Sequence, residues 1–388
     1  MRFAHTDEQL ALVDAVRAPL AAGDWNALAE MGVFAAFKEL DLAETDLVGV
    51  LEAAGYAAIA EPFSATAFVA GPLLAAIGDA RGWDGSRIAL AGPDGLTPFG
   101  ANADWILHLD ARTARLGAAA GAPVSAVDGS LNAVYSTGAE VLTDDIALVR
   151  TAHLRAGIAL AAELVGLGRR MLDLTVGYVK QRHQFGVPVG SFQAVKHQLA
   201  DALLGLEFAA PEVLAAAWAV QHEFDAGRGE RGVHVEGAER GVHVEGAERV
   251  SDAGSGLGGV DGERSERGVH VAHGERGVHV EHGLLHVEHG ERGVDVERGE
   301  RGERGLDAGG GLRGVDAEQA VDAAVVLAAE ACHGAGRAAV QCHGAIGYTV
   351  EYELHRYLKR GWALEALAET GRRIDRLAVS LDLPGGRP

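Results

Sequence analysis

Arg182 opens the stretch RHQFGVPVGSFQAVKHQLAD, a turn between two long helical patterns. A guanidinium fixed in such a turn can hold a pyrophosphate through two parallel hydrogen bonds. A surface arginine neutralising helix-end carbonyls fits the same position. A second stretch, QCHGAIGYTVEYELHR from Gln341 to Arg356, sets Gly344 and Gly347 after a helical run. Backbone without side chains lets a ligand approach closely. A helix carboxy-terminal cap and turn also accounts for GAIGYT, and both readings can hold at once. Glu163, in ALAAELVG, is the one acid in an otherwise apolar stretch. Burial beside Leu164 would raise its pKa and suit it to proton abstraction near neutrality. The alternative puts it at the solvent edge of the same stripe.

Helices must position these groups. Over residues 1–86, Thr6 can cap a helix in which Leu10, Val13, Val16 and Leu20 recur at three- and four-residue steps, and a second helix begins near Asp46. Residues 87–148 change character: RIAL, WILHLDA and AVYSTGAEVL are separated by Gly, Pro and Asp, the pattern of a small β-domain. From Arg155 the helical stripe returns through Leu160, Leu164, Leu167, Met171, Leu174 and Tyr178. Pro188 and Gly190 mark a turn, and the next helix runs from about Ser191 toward Phe224 with Pro211 as a kink. These two patterns make a helical hairpin over 149–226, and helix resumes over 316–388.

Residues 227–315 follow another logic. ERGVHVEGA repeats at Glu230 and Glu239, ERGV returns at Glu266, Glu275 and Glu291, and ERG triplets follow. A nine-residue period of glycine and charge buries too little apolar surface to offset the entropy of ordering it, so a disordered insertion is expected. A stacked solenoid would need larger inward-facing side chains than Val-His-Val supplies. The HVEH pairs at His279–His282 and His286–His289 allow metal capture, although repeat expansion explains the same histidines.

Composition narrows the function further. The 388 residues suit two or three packed domains. A formal charge of -21 offers no basic patch for nucleic acid. Cys332 and Cys342 are the only cysteines, too few for a disulfide framework and without metal-ligand spacing, which fits a reducing cytoplasm. MRFAHTDEQLALVDAVRAPL lacks the charge pattern of a signal peptide. No apolar run is expected to reach the roughly 18 residues of a membrane span, since Glu163 interrupts the stretch Ala156–Gly168.

The two motifs at Arg182 and Gln341 resemble the carboxy-terminal helical domain of the acyl-CoA dehydrogenases. That resemblance is clear over 150–224 and 317–380 and weak elsewhere. It implies a mostly α fold with an N-terminal helical domain, a reduced middle β-domain, and a C-terminal four-helix bundle interrupted by the insertion. It implies FAD as cofactor, held by Arg182, Gln184, Phe185, Gln193, Gln341, Gly344 and Gly347, partly across a subunit interface. Phe185 and Phe192 also fit as ordinary core aromatics. The implied reaction is α,β-desaturation of an acyl-CoA thioester, with electrons passed to an electron-transfer flavoprotein. A homo-oligomer or a paralogous subunit would complete the site, and a non-catalytic partner subunit is the second reading.

Two departures from the family pattern concern the chemistry. The general base of the family's YEGT-like motif, counted from Arg356, falls on Ala368, with Glu369 adjacent. The resemblance therefore leaves Glu163 as first candidate base, Glu369 as second and Glu365 as third. The middle region retains only TPFGANADWILHL, with Trp105 in a new setting, as in shortened members that act on steroid side chains and other bulky esters. Leu47, Val50, Leu160 and Leu164 are expected to set acyl-chain selectivity.

Overall fold

A computed structural model describes residues 5–40, 42–119, 121–136, 140–230 and 316–383. Most of the insertion expected over 227–315, including its histidine pairs, lies outside the described residues; residues 227–230 end a helix.

The chain begins with α1 (Asp7–Ala22), capped reciprocally: the Gln9 N–H donates to the Thr6 hydroxyl at 3.3 Å, and the Thr6 N–H donates to the Gln9 side chain at 2.9 Å. Two short helices, α2 (Trp25–Glu30) and α3 (Ala36–Glu39), lead to α4 (Glu44–Ala57). A π-helical segment, Ala65–Ala70, runs into α5 (Gly71–Ala76).

The strands follow. β1 (Ile88–Leu90), β3 (Trp105–Leu109), β4 (Ala114–Ala118) and β6 (Glu140–Thr143) form one sheet in that order, parallel between β1 and β3 and antiparallel elsewhere. β2 (Leu96–Thr97) and β5 (Val134–Tyr135) make a separate pair.

The carboxy-terminal half is α6 (Ile146–Gln181), the hairpin β7 (His183–Gln184) and β8 (Val187–Pro188), α7 (Gln193–Glu230), α8 (Ala317–His343), α9 (Leu354–Leu367) and α10 (Thr370–Ser380). α6 starts nine residues before Arg155, because the Asp145 carboxylate accepts from the N–H groups of Ala147 and Leu148. Arg155 is buried inside it, with Nε and Nη2 donating to Glu44 at 3.0 and 2.6 Å. α7 continues through Pro211.

One apolar core joins α1, α4, α6, α7, α8 and α9. Two glycines allow α4 and α6 to touch backbone to backbone. A Cβ on Gly55 would stand 2.2 Å from the Glu163 carbonyl oxygen, and one on Gly166 would stand 1.9 Å from that of Glu52. No side chain fits either place, so the sequence fixes how deeply α6 seats.

The segment Gln193–Glu223 of α7 is long and apolar enough, by length and composition, to cross a membrane, which corrects the sequence expectation. Only Glu207 and Glu212 interrupt its apolar centre, and they are too widely spaced to break it. In this fold Leu206, Ala209, Val213, Ala216 and Val220 are buried in the core shared with α6 and α8.

Glu52 sits at the α4–α6 contact, with Arg169 3.7 Å away. Burial pushes its pKa up to about 7, against the pull of Arg169, which gives its closest contact, at 2.8 Å, to Glu207. A carboxyl raised in the folded state keeps its proton there while the unfolded chain has lost it. Its stabilising contribution is therefore complete below the unfolded pKa and drains away as pH climbs toward 7. Glu52→Gln should remove that loss, raising stability at pH 8 by about 1–3 kcal/mol relative to the parent while leaving pH 4 stability little changed. Urea unfolding at the two pH values checks this.

Candidate active site

A cavity of about 480 Å³ runs along one face of α6, past His153, Ala156, Gly157, Leu160 and Glu163. These residues recur at three- and four-residue steps and span ten positions, roughly 15 Å of helix axis. One end is polar. The Asp322 carboxylate, buried to 3% exposure, accepts from Arg373 at 2.5 Å and from two nitrogens of Arg376 at 2.7 Å. Arg373 also donates to the Ala368 carbonyl, so both guanidiniums are fixed where the cavity reaches the surface beside Glu318.

Toward the other end Phe63, Phe99 and Leu160 line the cavity together with Ser64 and Glu163. Glu163 is partly buried, and burial raises its pKa; nearby Ser64 and Arg360 act in the opposite direction. Ser64 is 5% exposed, and its hydroxyl has no hydrogen-bond partner of ordinary geometry, although it lies close enough to favour the charged form of Glu163.

A second cleft, about 830 Å³, lies between the β2–β5 region and α9. Pro93, Pro98, Leu367 and Glu369 line both spaces, so the two meet at Glu369. Val127, Tyr135 and Trp362 along the cleft are 60%, 59% and 47% exposed. Large apolar faces left open around a cleft suit a flat aromatic ligand. Glu369 holds left-handed backbone, φ +45°, and its carboxylate accepts from Arg372 at 2.7 Å. Phe99 is left-handed too, φ +60°. Such conformations cost on the order of 1–3 kcal/mol each and persist where surrounding structure enforces them.

The structure thus brings Glu163 and Glu369 to one cavity and places them apart within it. Glu365 faces elsewhere, 3.1 Å from His333 in a separate pocket of about 310 Å³ that Gln341 and Cys332 also line. Of the four residues expected to set chain selectivity, Leu160 lines the cavity, whereas Leu47, Val50 and Leu164 belong to the packed core. In sequence an inward stripe looks the same whether it meets a neighbouring helix or a cavity.

Arg182 terminates α6: its N–H donates to Tyr178 and its carbonyl accepts from Val189. Arg182, Gln184 and Gln193 are exposed, and Phe185 is 92% exposed at the tip of the β7–β8 hairpin with φ +53°. Phe185 is therefore no core aromatic. Gln341 and Gly344 are exposed; Gly347 is buried. Gly344 caps α8 at φ +63°, a conformation that requires glycine or nearly so. None of these seven lines the 830 Å³ cleft.

Sequence reasoning passed over Arg360. It is 3% exposed and donates to Asp128 at 2.5 Å, to the Ile59 carbonyl at 2.8 Å and to Ser130 at 2.9 Å, pinning the loop before β5 to α9. It reads as one more basic residue in HRYLKRGW, and its partners lie more than 200 residues away.

Residues 145–235 match the acyl-CoA dehydrogenase C-terminal domain. Among curated relatives, acyl-CoA dehydrogenase IpdE2 of Mycolicibacterium smegmatis is 49% identical over 71 residues, 18% of this chain and 22% of that protein. IpdE2 of Mycobacterium tuberculosis is 46% identical over 81 residues, 20% of this chain and 24% of that one. The matched stretches span about a quarter or less of those relatives' length.

Among solved structures, the ChsE4-ChsE5 complex from Mycobacterium tuberculosis superposes with a TM-score of 0.62 at 17% identity, covering 98% of this chain and 99% of that one. Butyryl-CoA dehydrogenase from Megasphaera elsdenii gives 0.59 at 15%, covering 98% and 100%. Residues 145–235 thus match the acyl-CoA dehydrogenase C-terminal domain, and the chain shares the fold of these solved structures.

Proposed function

We propose that this chain is an FAD-dependent acyl-CoA dehydrogenase that forms an α,β double bond in an acyl-CoA thioester, in the cytoplasm, with electrons passed to an electron-transfer flavoprotein. The observation that carries the reading is the meeting of the two spaces at Glu369. A thioester in the 480 Å³ cavity and a flavin ring in the 830 Å³ cleft would touch there, beside one carboxylate. FAD, when bound, supplies the acceptor for the β-hydride. Glu369 would take the α-proton, and its left-handed backbone and Arg372 would hold it at the junction. Arg373 and Arg376, fixed by Asp322, would meet the polar arm of coenzyme A where it leaves the protein. Leu364 and Leu367 would keep water from the reacting carbons.

The flavin-contact residues implied by the family motifs favour an assembly. Arg182, Gln184, Phe185, Gln193, Gln341 and Gly344 are exposed, as expected of groups lent to a cofactor on a neighbouring subunit. The same exposure favours the second reading, a partner subunit that completes the flavin site of a paralogue.

The test is an absorbance spectrum of the chain alone and co-expressed with a paralogue, followed by anaerobic addition of a bulky acyl-CoA. Flavin bands that bleach support the dehydrogenase. Flavin that appears only with the paralogue and survives Glu369→Gln and Glu163→Gln with bleaching intact supports the partner subunit. Absence of flavin in both preparations rejects both readings. Arg182→Ala should weaken flavin retention by about 1.5–3 kcal/mol, measured by equilibrium dialysis, with the melting temperature of the flavin-free protein unmoved.

A further inference from the structure

The Glu163 end of the cavity is not built for a plain alkyl chain. Ser64 is buried, lines the cavity, and has no hydrogen-bond partner of ordinary geometry. The Glu163 carboxyl lines the same end. Phe63, Phe99 and Leu160 surround them. A methyl-ended tail would shut the Ser64 hydroxyl away from water and offer it no partner, at a cost of roughly 1–3 kcal/mol for a group left unsatisfied.

The location is well defined. Ser64 immediately precedes the π-helical segment Ala65–Ala70, where Thr66 is tied to β1 by hydrogen bonds with both the N–H and the carbonyl of Ile88. Ser64 therefore sits on a braced turn. Glu163 is seated by the Gly55 contact, which presses α4 against the Glu163 backbone itself. Together they form a polar corner toward the opposite end of the cavity from Asp322 and its arginines.

We propose that Ser64 and Glu163 recognise an oxygen atom, a ketone or hydroxyl, on the distal part of the acyl group, so that the substrates are acyl-CoAs with a bulky oxygenated tail. The inference rests on the acyl-CoA reading of the cavity. A ketone oxygen would accept from the Ser64 hydroxyl and from the Glu163 carboxyl in its protonated form; a hydroxyl could also donate to either. Burial, which favours the neutral acid, makes Glu163 available as a donor. Glu163 then acts on the tail while Glu369 acts at the thioester. Sites built to bind a polar group in this way discriminate strongly against analogues that lack it.

A matched pair of thioesters tests the proposal: 3-(4-oxocyclohexyl)propanoyl-CoA and 3-cyclohexylpropanoyl-CoA, added to the flavin-loaded protein with whatever subunit it needs. Dissociation constants come from equilibrium dialysis and turnover from anaerobic flavin bleaching. The oxo compound should bind at least tenfold more tightly. That ratio should fall below threefold in Ser64→Ala and largely survive in Glu163→Gln, whose amide still donates a hydrogen bond.

Equal affinities in the wild-type protein, or a ratio unmoved by Ser64→Ala, overturn the proposal. Loss of bleaching with both compounds in Glu163→Gln, with Glu369→Gln still active, overturns it in favour of Glu163 as the base. Preferential binding of the oxo compound without bleaching supports the recognition corner and rejects the dehydrogenase reading, so the two can fail separately.

Discussion

Glu369→Gln should slow flavin reduction by an acyl-CoA roughly 10²- to 10⁴-fold while the protein remains folded and flavin-loaded. The argument is positional. A base for the α-proton must reach the carbon that faces the hydride acceptor, and Glu369 is the carboxylate that lines both the cavity and the adjoining cleft. Loss of its contact with Arg372 should cost little stability, because Arg372 is 72% exposed and such pairs contribute about 0–1 kcal/mol. Stopped-flow reduction beside a thermal melt separates the two effects. A fall in rate below tenfold would remove Glu369 from the base position, and Glu163→Gln, measured in parallel, would then show whether the sequence order of the candidates was the right one.

Arg360→Met should destabilise the fold by about 3–5 kcal/mol, lowering the melting temperature by roughly 10 °C. The substitution leaves the Asp128 carboxylate and the Ile59 carbonyl buried without their cation. Burial of Asp128 by itself would raise its pKa; the charge of Arg360 and the hydrogen bonds of Ser130 and Arg360 outweigh it and hold the group below the usual carboxylate range. A depressed folded pKa gives stability that is present above the unfolded value near 4 and lost as pH falls through the folded one. The variant should therefore show a weaker loss of stability below pH 4 than the parent. Adding Asp128→Leu to Arg360→Met should recover part of the deficit, since the remaining charge is what costs most. If the double variant is no more stable than the single, the ion pair is not the source of the effect.

The sequence shows the helices better than it shows the site. Thr6 with Gln9, and the four-and-three steps from Leu160 to Tyr178, are local patterns, and local patterns suffice for helix. The first turns of α6 were harder to read because Arg150, His153 and Arg155 break the apolar stripe. Arg155 makes sense only once Glu44, 111 residues earlier, is found beside it. Glu163 was conspicuous as a lone acid among apolar neighbours. Ser64 had no such contrast, and its importance comes from what surrounds it in space. Glu369 stands out in the sequence only as the neighbour of the position where the family's motif carries its base, and nothing local shows that it stands between two cavities. Trp362 is likewise one aromatic in a helix until the fold sets it along the cleft.

Arg150 reaches Glu223 near the end of α7 and also Asp316 at the start of α8, the latter at 3.3 Å. One guanidinium therefore marks both the exit and the return of the chain. For genome history, this makes the position a seam: coding sequence can lengthen, shorten or turn over there without moving either helix, since closure cost changes only with the logarithm of loop length. For the protein chemist it is a natural place to divide the polypeptide, with new termini opened at the seam and the two halves left to find each other through the faces they already share.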